Sequence, residues 1–280
     1  MDILLNIFRV TLEEGLMYAL LAMGVYITYS ILDFPDLSVD GTMPMGAVVT
    51  AVLIIAGVNP WLCLLISFVL GMLAGTVTGL LHVKLGIRPL LCGIIVYTAM
   101  LSINLVILFK GNNGITVASF FRKPTIFNSG IAASLPAEWR ITIISLILVV
   151  IFKIAMDFYL ETKSGLLLRA VGDNEKYVTM LARDPGKAKI LGLAIGNGFG
   201  MVFLGLASVI IGLSIFKNVK FMKPTTMVIL GSLLYKACLT IALALNLPTE
   251  YLKLLMAVLF TIALVFSEKL PVKNKLKRSA

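Results

Sequence analysis

The sequence predicts an all-α polytopic membrane protein of about eight transmembrane segments. Broken or re-entrant helices are expected among the spans, with a cytoplasmic coupling helix slung between two of them. Three observations predict this class. Hydrophobic residues fill 59% of the 280 positions and charged residues only 14%, against roughly 25% charged in an ordinary soluble domain; the mean hydropathy is +1.01. Apolar runs of about 20 residues, enough for a helix to cross the hydrocarbon core, recur along the chain. Between two of these runs lies a polar island carrying Arg169, Asp173, Glu175, Lys176, Arg183 and Asp184. A short charged helix hung between two spans is something that a partner outside the membrane can push on.

The net charge of +10 sits in short loops and in the tail, a distribution that reads as membrane topology and not as a nucleic-acid surface. No basic leader followed by a small-residue cleavage site opens the chain. Cys63, Cys92 and Cys238 lie singly inside apolar runs, which predicts buried thiols and neither disulfides nor a metal site. The whole chain, 1–280, therefore reads as one transmembrane domain.

Residues 1–14 place Ile3, Leu4, Ile7, Phe8 and Leu12 on one helical stripe. This predicts an interfacial amphipathic helix, the alternative being the first turns of a longer span. After an apolar run comes LDFPDLSVDGT, residues 32–42, where Pro35 and Gly41 discourage a continuous helix. Two readings stay open there: broken backbone within the bilayer, satisfied by protein or water, or a solvated loop whose acids face water. Residues 43–58 and 61–81 are the next spans, separated by Asn59-Pro60. The second carries Gly71, Gly75 and Gly79, a stripe suited to close helix contact. Further spans are expected at 90–109 and 139–158, where Asp157 is placed to partner Lys153 four residues earlier. His82, the one histidine, reads as a loop-edge residue.

The polar island, 159–187, is read as cytoplasmic under the positive-inside rule, and so is the basic tail, 269–280. That assignment creates a parity problem, since three crossings after the island would leave the tail outside. The preferred solution is that 219–246, with Pro224, Gly231 and Lys236, dips in and returns as two short helices. Otherwise Lys236 would be an unpaired ammonium in mid-span, at a cost of a few kcal/mol.

Catalytic patterns are missing from the sequence. There is no phosphate-binding glycine loop, since Gly186-Lys187 is followed by Ala188; no metal-ligand spacing and no credible Ser/His/Asp set are found. Transport driven by energy supplied from elsewhere is the better reading.

Two stretches carry a family resemblance. RAVGDNEKYVTMLARDPGKAKILGLAIGNGFGMVFLGLAS, in the island and the span after it, is similar to the segment by which permeases of the branched-chain amino acid and ribose type of ATP-binding cassette importer engage their ATPase. PDLSVDGT at 35–42 resembles the DLSVG element of sugar permeases. Its extra aspartate, followed by MGAVVTA at 45–51, resembles the branch associated with tryptophan and tyrosine. The chain departs from the family pattern at Arg183-Asp184-Pro185.

The resemblance implies that Arg169, Ala170, Gly172, Asp173, Asn174 and Glu175 open the coupling helix, with Tyr177, Val178 and Leu181 as its apolar face. Asn174 suits a helix cap and Glu175 a first turn. Asp36, Ser38, Asp40 and Gly41 would line or shape the pathway, with Asn197 as a further candidate. The implied partners are ATP-binding cassette ATPase subunits, a second permease copy and an extracellular solute-binding protein, either a lipoprotein or periplasmic. ATP and Mg would be used by the ATPase, and no cofactor is expected in this chain. Arg122, Lys123, Lys217, Lys220 and Lys223 are candidates for receiving the binding protein, with lipid-headgroup anchoring as the alternative. The expected protein is thus a cell-membrane importer permease for a small solute, an amino acid first and an aromatic one in particular. A sugar or nucleoside permease is the alternative, and an ion-coupled carrier a more distant one.

Overall fold

The computed structural model describes residues 2–111, 123–127, 134–136, 138–180, 184–199, 209–213, 215–216, 219 and 221–245, with scattered positions from 251 to 265. Arg122, Leu181, Arg183, Lys217, Lys220 and the basic tail lie outside them. Among the described residues the elements are helical throughout.

Helix α1, Asp2–Val25, is the hub. It continues directly into a wider π-helical turn, Tyr26–Ile31. Residues 2–14 are therefore not set apart by a break: they lead without interruption into the buried part of α1. Ala19, Ala22, Met23 and Ile27 are wholly buried. Next come α2 (Val39–Ile55), α3 (Pro60–Leu85) and α4 (Pro89–Gly111), which pack on one another, and α5 (Arg140–Glu161), which packs on α1. Then follow α6 (Lys163–Asp173), α7 (Glu175–Met180), α8 (Pro185–Phe199) and α9 (Pro224–Ala244). Among the described residues, five helical stretches are long and apolar enough to cross a membrane: Leu5–Ile31, α3, α4, α5 and α9. Their outward faces carry Leu65, Val69, Leu73, Ile94, Ile151 and Ile154, all exposed, as lipid or a partner's apolar surface requires.

Small residues set the tightest contact. A β-carbon on Gly75 would collide with the Leu193 carbonyl of α8, and one on Gly71 would come within 2.7 Å of the Asn197 carbonyl. The glycine stripe thus lets α3 and α8 meet backbone to backbone.

Ion pairs place the remaining elements. Lys153 and Asp157 on α5 pair at 2.8 Å, and Asp157 also accepts from the Thr225 hydroxyl at 2.6 Å in the first turn of α9. Lys223, just before α9, reaches Glu161 at 3.1 Å and Asp157 at 3.7 Å. The hydrogen bond to Glu161 and the Asp157 charge hold the Lys223 ammonium above its ordinary pKa, so this link persists at physiological pH. Helix α9 therefore starts at the end of the bundle where α5 finishes and α6 begins.

This corrects the expectation for 219–246, because α9 is one unbroken helix. Pro224 occupies its first turn, where a missing N–H costs nothing. Lys236 is not unpaired in mid-span: its ammonium meets Glu14 at 2.8 Å and lies 3.9 Å from the centre of the Tyr18 ring. Helix α8 leaves the α6–α7 end and runs antiparallel to α1, with Gly192 beside Leu32, Gly196 beside Thr28 and Phe199 beside Gly24. The chain is back at the α6–α7 end by Lys223, with Gly212 against Met227 on the way. One smaller correction concerns Cys238, which is exposed on α9, whereas Cys63 and Cys92 are buried as expected.

Two outcomes test this arrangement. With the native cysteines replaced by alanine, Lys223→Cys is labelled by a membrane-impermeant thiol reagent from the same side as Lys176→Cys and from the side opposite Lys123→Cys. Glu14→Gln strands the buried Lys236 charge and costs about 1–3 kcal/mol, limited by the half-exposure of Glu14. The pair of changes Glu14→Gln and Lys236→Met regains most of it in thermal unfolding in detergent.

Candidate functional site

The stretch after the π-helical turn decides between the two readings of 32–42. The helix ends at Leu32, and Asp33 takes a left-handed backbone with φ of 52°, a conformation that aspartate tolerates better than most residues. The Phe34 N–H then reaches back to the Thr28 carbonyl at 2.9 Å and closes the helix end. Beyond it the chain stays packed on the bundle. Phe34, Asp36 and Ser38 are 3%, 4% and 0% exposed while Asp33 and Pro35 face outward, so this is broken backbone with one side packed into protein and not a fully solvated loop.

Asp36, Ser38 and Asn197, separate in sequence, form one knot. Asp36 Oδ1 accepts from the Ser38 N–H at 2.9 Å and from its hydroxyl at 2.6 Å. Asp36 Oδ2 accepts from the Asn197 amide at 2.6 Å. The second amide proton of Asn197 goes to the Leu193 carbonyl at 3.1 Å. Asn197 Oδ1 faces the hydroxyls of Ser38 at 3.0 Å and Thr42 at 3.1 Å. Flipping the amide would set its oxygen against the carboxylate, so the orientation is fixed by the network. Asn197 lies twelve residues into α8, about 18 Å along it. The knot therefore joins the break to the interior part of α8.

Gly41 serves a different contact. Its site lies 3.0 Å from the Met100 β-carbon and 3.1 Å from Tyr97 backbone atoms. Its carbonyl accepts from the Asn104 amide at 3.1 Å, which fastens α2 to α4. Asp40 sits half-buried in the first turn of α2. Thr42 is the member of the knot that the sequence reading missed. Its spacing of four from Ser38 put both hydroxyls on one helical face, and that was the available signal.

The polar island is two helices with an elbow at Asn174, not one. The Asn174 side chain accepts from the Tyr177 N–H at 3.3 Å and caps α7. Arg169, Ala170, Asp173, Asn174, Glu175 and Tyr177 are exposed. Helix α6 presses on the break itself, since a β-carbon on Gly172 would run into the Ile31 carbonyl. Leu168 and Val171 are buried in the same core as Leu32 and Phe34.

Two expectations need correction here. Val178 does not face outward: it is 3% exposed and plugs α7 into that core. The outward apolar groups are Tyr177 and Met180, at 67% and 81% exposure; Met180 was missed, and Leu181 lies outside the described residues. Lys223 stands at the α6–α7 end, so it cannot receive a partner on the opposite side from that segment. Lys123 does stand at the opposite end, its ammonium on the Ile55 carbonyl at 3.1 Å. Arg122, Lys217 and Lys220 fall outside the described residues. Among the described residues no group of His, Cys, Asp and Glu is placed to hold a metal.

The knot predicts a graded response. Asn197→Ala strips the buried Asp36 Oδ2 of its partner and removes the link to Ser38 and Thr42, at a cost of about 2–3 kcal/mol, whereas Thr42→Val, whose hydroxyl also has the Val39 carbonyl, costs about 1 kcal/mol. Thermal unfolding of the purified variants measures both; equal losses would contradict the bonding described.

Residues 7–264 match the family described as branched-chain amino acid transport system, permease component. The chain is 37% identical over 268 residues to a tyrosine transport system permease protein of Clostridioides difficile (strain R20291), covering 88% of this chain and 86% of that one. An uncharacterized protein of Rickettsia prowazekii (strain Madrid E) is 28% identical over 288 residues, covering 93% and 97%. A fructose import permease protein of Bifidobacterium longum (strain NCC 2705) is 28% identical over 195 residues, covering 70% of this chain and 52% of the other. No solved structure gives a significant match. With its multi-pass helical bundle and its match over nearly the whole length, the chain belongs to the permease components of branched-chain amino acid transport systems, cell-membrane transporter subunits.

Proposed function

We propose that this chain is the transmembrane permease subunit of an ATP-driven importer for an amino acid, an aromatic one such as tyrosine foremost. The observation that carries the proposal is the position of α6 and α7. They present Tyr177 and Met180 outward while Gly172 and Val178 fit against the helix break and its core. A force applied to that surface acts directly on the interrupted helix. The tyrosine permease relative supports the solute class.

The α6–α7 end is then cytoplasmic and the Lys123 end external. An ATP-binding cassette ATPase docks on Tyr177, Met180 and the exposed polar residues Arg169, Asp173 and Asn174. ATP and Mg are bound and used by that subunit. A second copy of the permease completes the pathway, and an extracellular solute-binding protein delivers solute at the Lys123 end. Alternating access follows if α6–α7 moves with the ATPases and tilts α8 and the 33–42 break against α2 and α4. Asp36, Ser38 and Asn197 shape the pathway by holding the break to α8, and Asp40 and Gly41 set the start of α2 beside it.

The fructose permease relative favours one second reading, a sugar permease. Uptake of labelled tyrosine against labelled fructose by the assembled importer separates the two.

Purification of the tagged chain in mild detergent is expected to recover an ATP-binding cassette subunit. Replacing residues 169–183 by a Gly/Ser linker abolishes that recovery, and Tyr177→Ala combined with Met180→Ser lowers it about tenfold, as for two anchors of an interface. Solute uptake driven by an ion gradient in liposomes holding this chain alone would overturn the reading in favour of a stand-alone carrier.

A further inference from the structure

We propose that Glu175, Lys189 and His82 form a charged joint that fixes how movement of α7 reaches the helix break; the proposal rests on the permease reading above. The Lys189 ammonium, on α8, meets Glu175 Oε2 in the first turn of α7 at 2.8 Å and His82 Nε2 at the end of α3 at 3.5 Å. The other ring nitrogen, Nδ1, lies 2.8 Å from the Ile87 carbonyl oxygen. A carbonyl only accepts, so in the neutral ring the proton sits on Nδ1, and Nε2 presents its lone pair to Lys189. The ring also meets Phe34 edge to face, with centres 5.1 Å apart and planes at 76°. Phe34 is 3% exposed and lies two residues before Asp36 of the buried knot.

One line of contact therefore runs from α7 through α8 and the end of α3 to the break. Helix α7 has six residues, too few to hold a fixed direction alone. Val178 seats it, and the Glu175–Lys189 bond sets its angle on α8. Glu175 is thereby turned toward the bundle, and its part is positioning, not docking of the ATPase. His82 is not an idle loop-edge residue: it is the bearing on which Lys189 and Phe34 both rest.

The test uses the permease with its ATPase, co-purified and reconstituted with the solute-binding protein, and reads solute moved per ATP hydrolysed. Glu175→Gln and Lys189→Met each lower that ratio by about three- to tenfold, and the double variant falls no lower than the worse single, because both changes break one joint. ATPase recovery with Glu175→Gln stays at the wild-type level. His82→Gln, whose side-chain oxygen still accepts from Lys189, keeps more of the ratio than His82→Leu. The proposal is overturned by an unchanged ratio, by single effects that multiply, by uptake and hydrolysis falling in step, or by loss of the ATPase from Glu175→Gln. If the wild-type chain recovers no ATPase, the permease reading fails and the joint falls with it.

Discussion

A helix that stops inside a bilayer exposes amides and carbonyls that lipid cannot satisfy, and each one left unpaired costs several kcal/mol. The chain stops a helix at Leu32 and restarts it at Val39, and much of its architecture answers that cost. The π-helical turn, the left-handed Asp33 and the bond from Phe34 to Thr28 close the first end. Asp36 and Ser38 bind each other and then Asn197, so one side of the interrupted stretch is packed into protein. Broken backbone at such depth is tolerated only where it is buried in protein or lines a cavity, which is why it marks transport sites.

Helix α8 is the member that makes the break useful. Its glycine-rich contact with α3 brings two backbones together, and only small side chains permit that. The same helix carries Lys189 near its start and Asn197 near its described end, so it touches the α6–α7 segment at one level and the break at another. A rigid helix with polar fastenings at both levels converts a small displacement at one into a tilt at the other. Closely packed elements respond in this way because they shift between discrete arrangements and do not deform continuously.

Charge placement settles the path of the chain through the bundle. Lys153, Asp157, Glu161 and Lys223 gather where α5 ends and α9 begins, and Glu14 with Lys236 lies deeper between α1 and α9. In a medium hostile to charge, each cation is most cheaply accommodated beside an anion, so these pairs work as registration marks between helices. They put Lys223 beside the α6–α7 segment and leave Lys123 at the other end, separating two lysines that the sequence alone would group together.

Local chemistry was legible in the sequence: apolar runs announced the helices, Pro35 with Gly41 the break, and Asn174 with Glu175 the start of α7. The family followed from the order of two short motifs. Asp36, Ser38 and Asn197 could each be picked out as polar residues in apolar surroundings. Their meeting could not, because the partners stand 161 and 159 residues apart and only the antiparallel course of α8 against α1 brings them together. The same limit explains Lys236, whose partner Glu14 is 222 residues away, and hence why the segment around it was not read as one helix. The resemblance places Val178 on the outward face of α7, but the depth of the seat beneath it is a property of α6 and α8 packed together. Periodicity and composition act within one helix and survive in the sequence; pairing, facing and depth are relations between helices, and the folded bundle decides them.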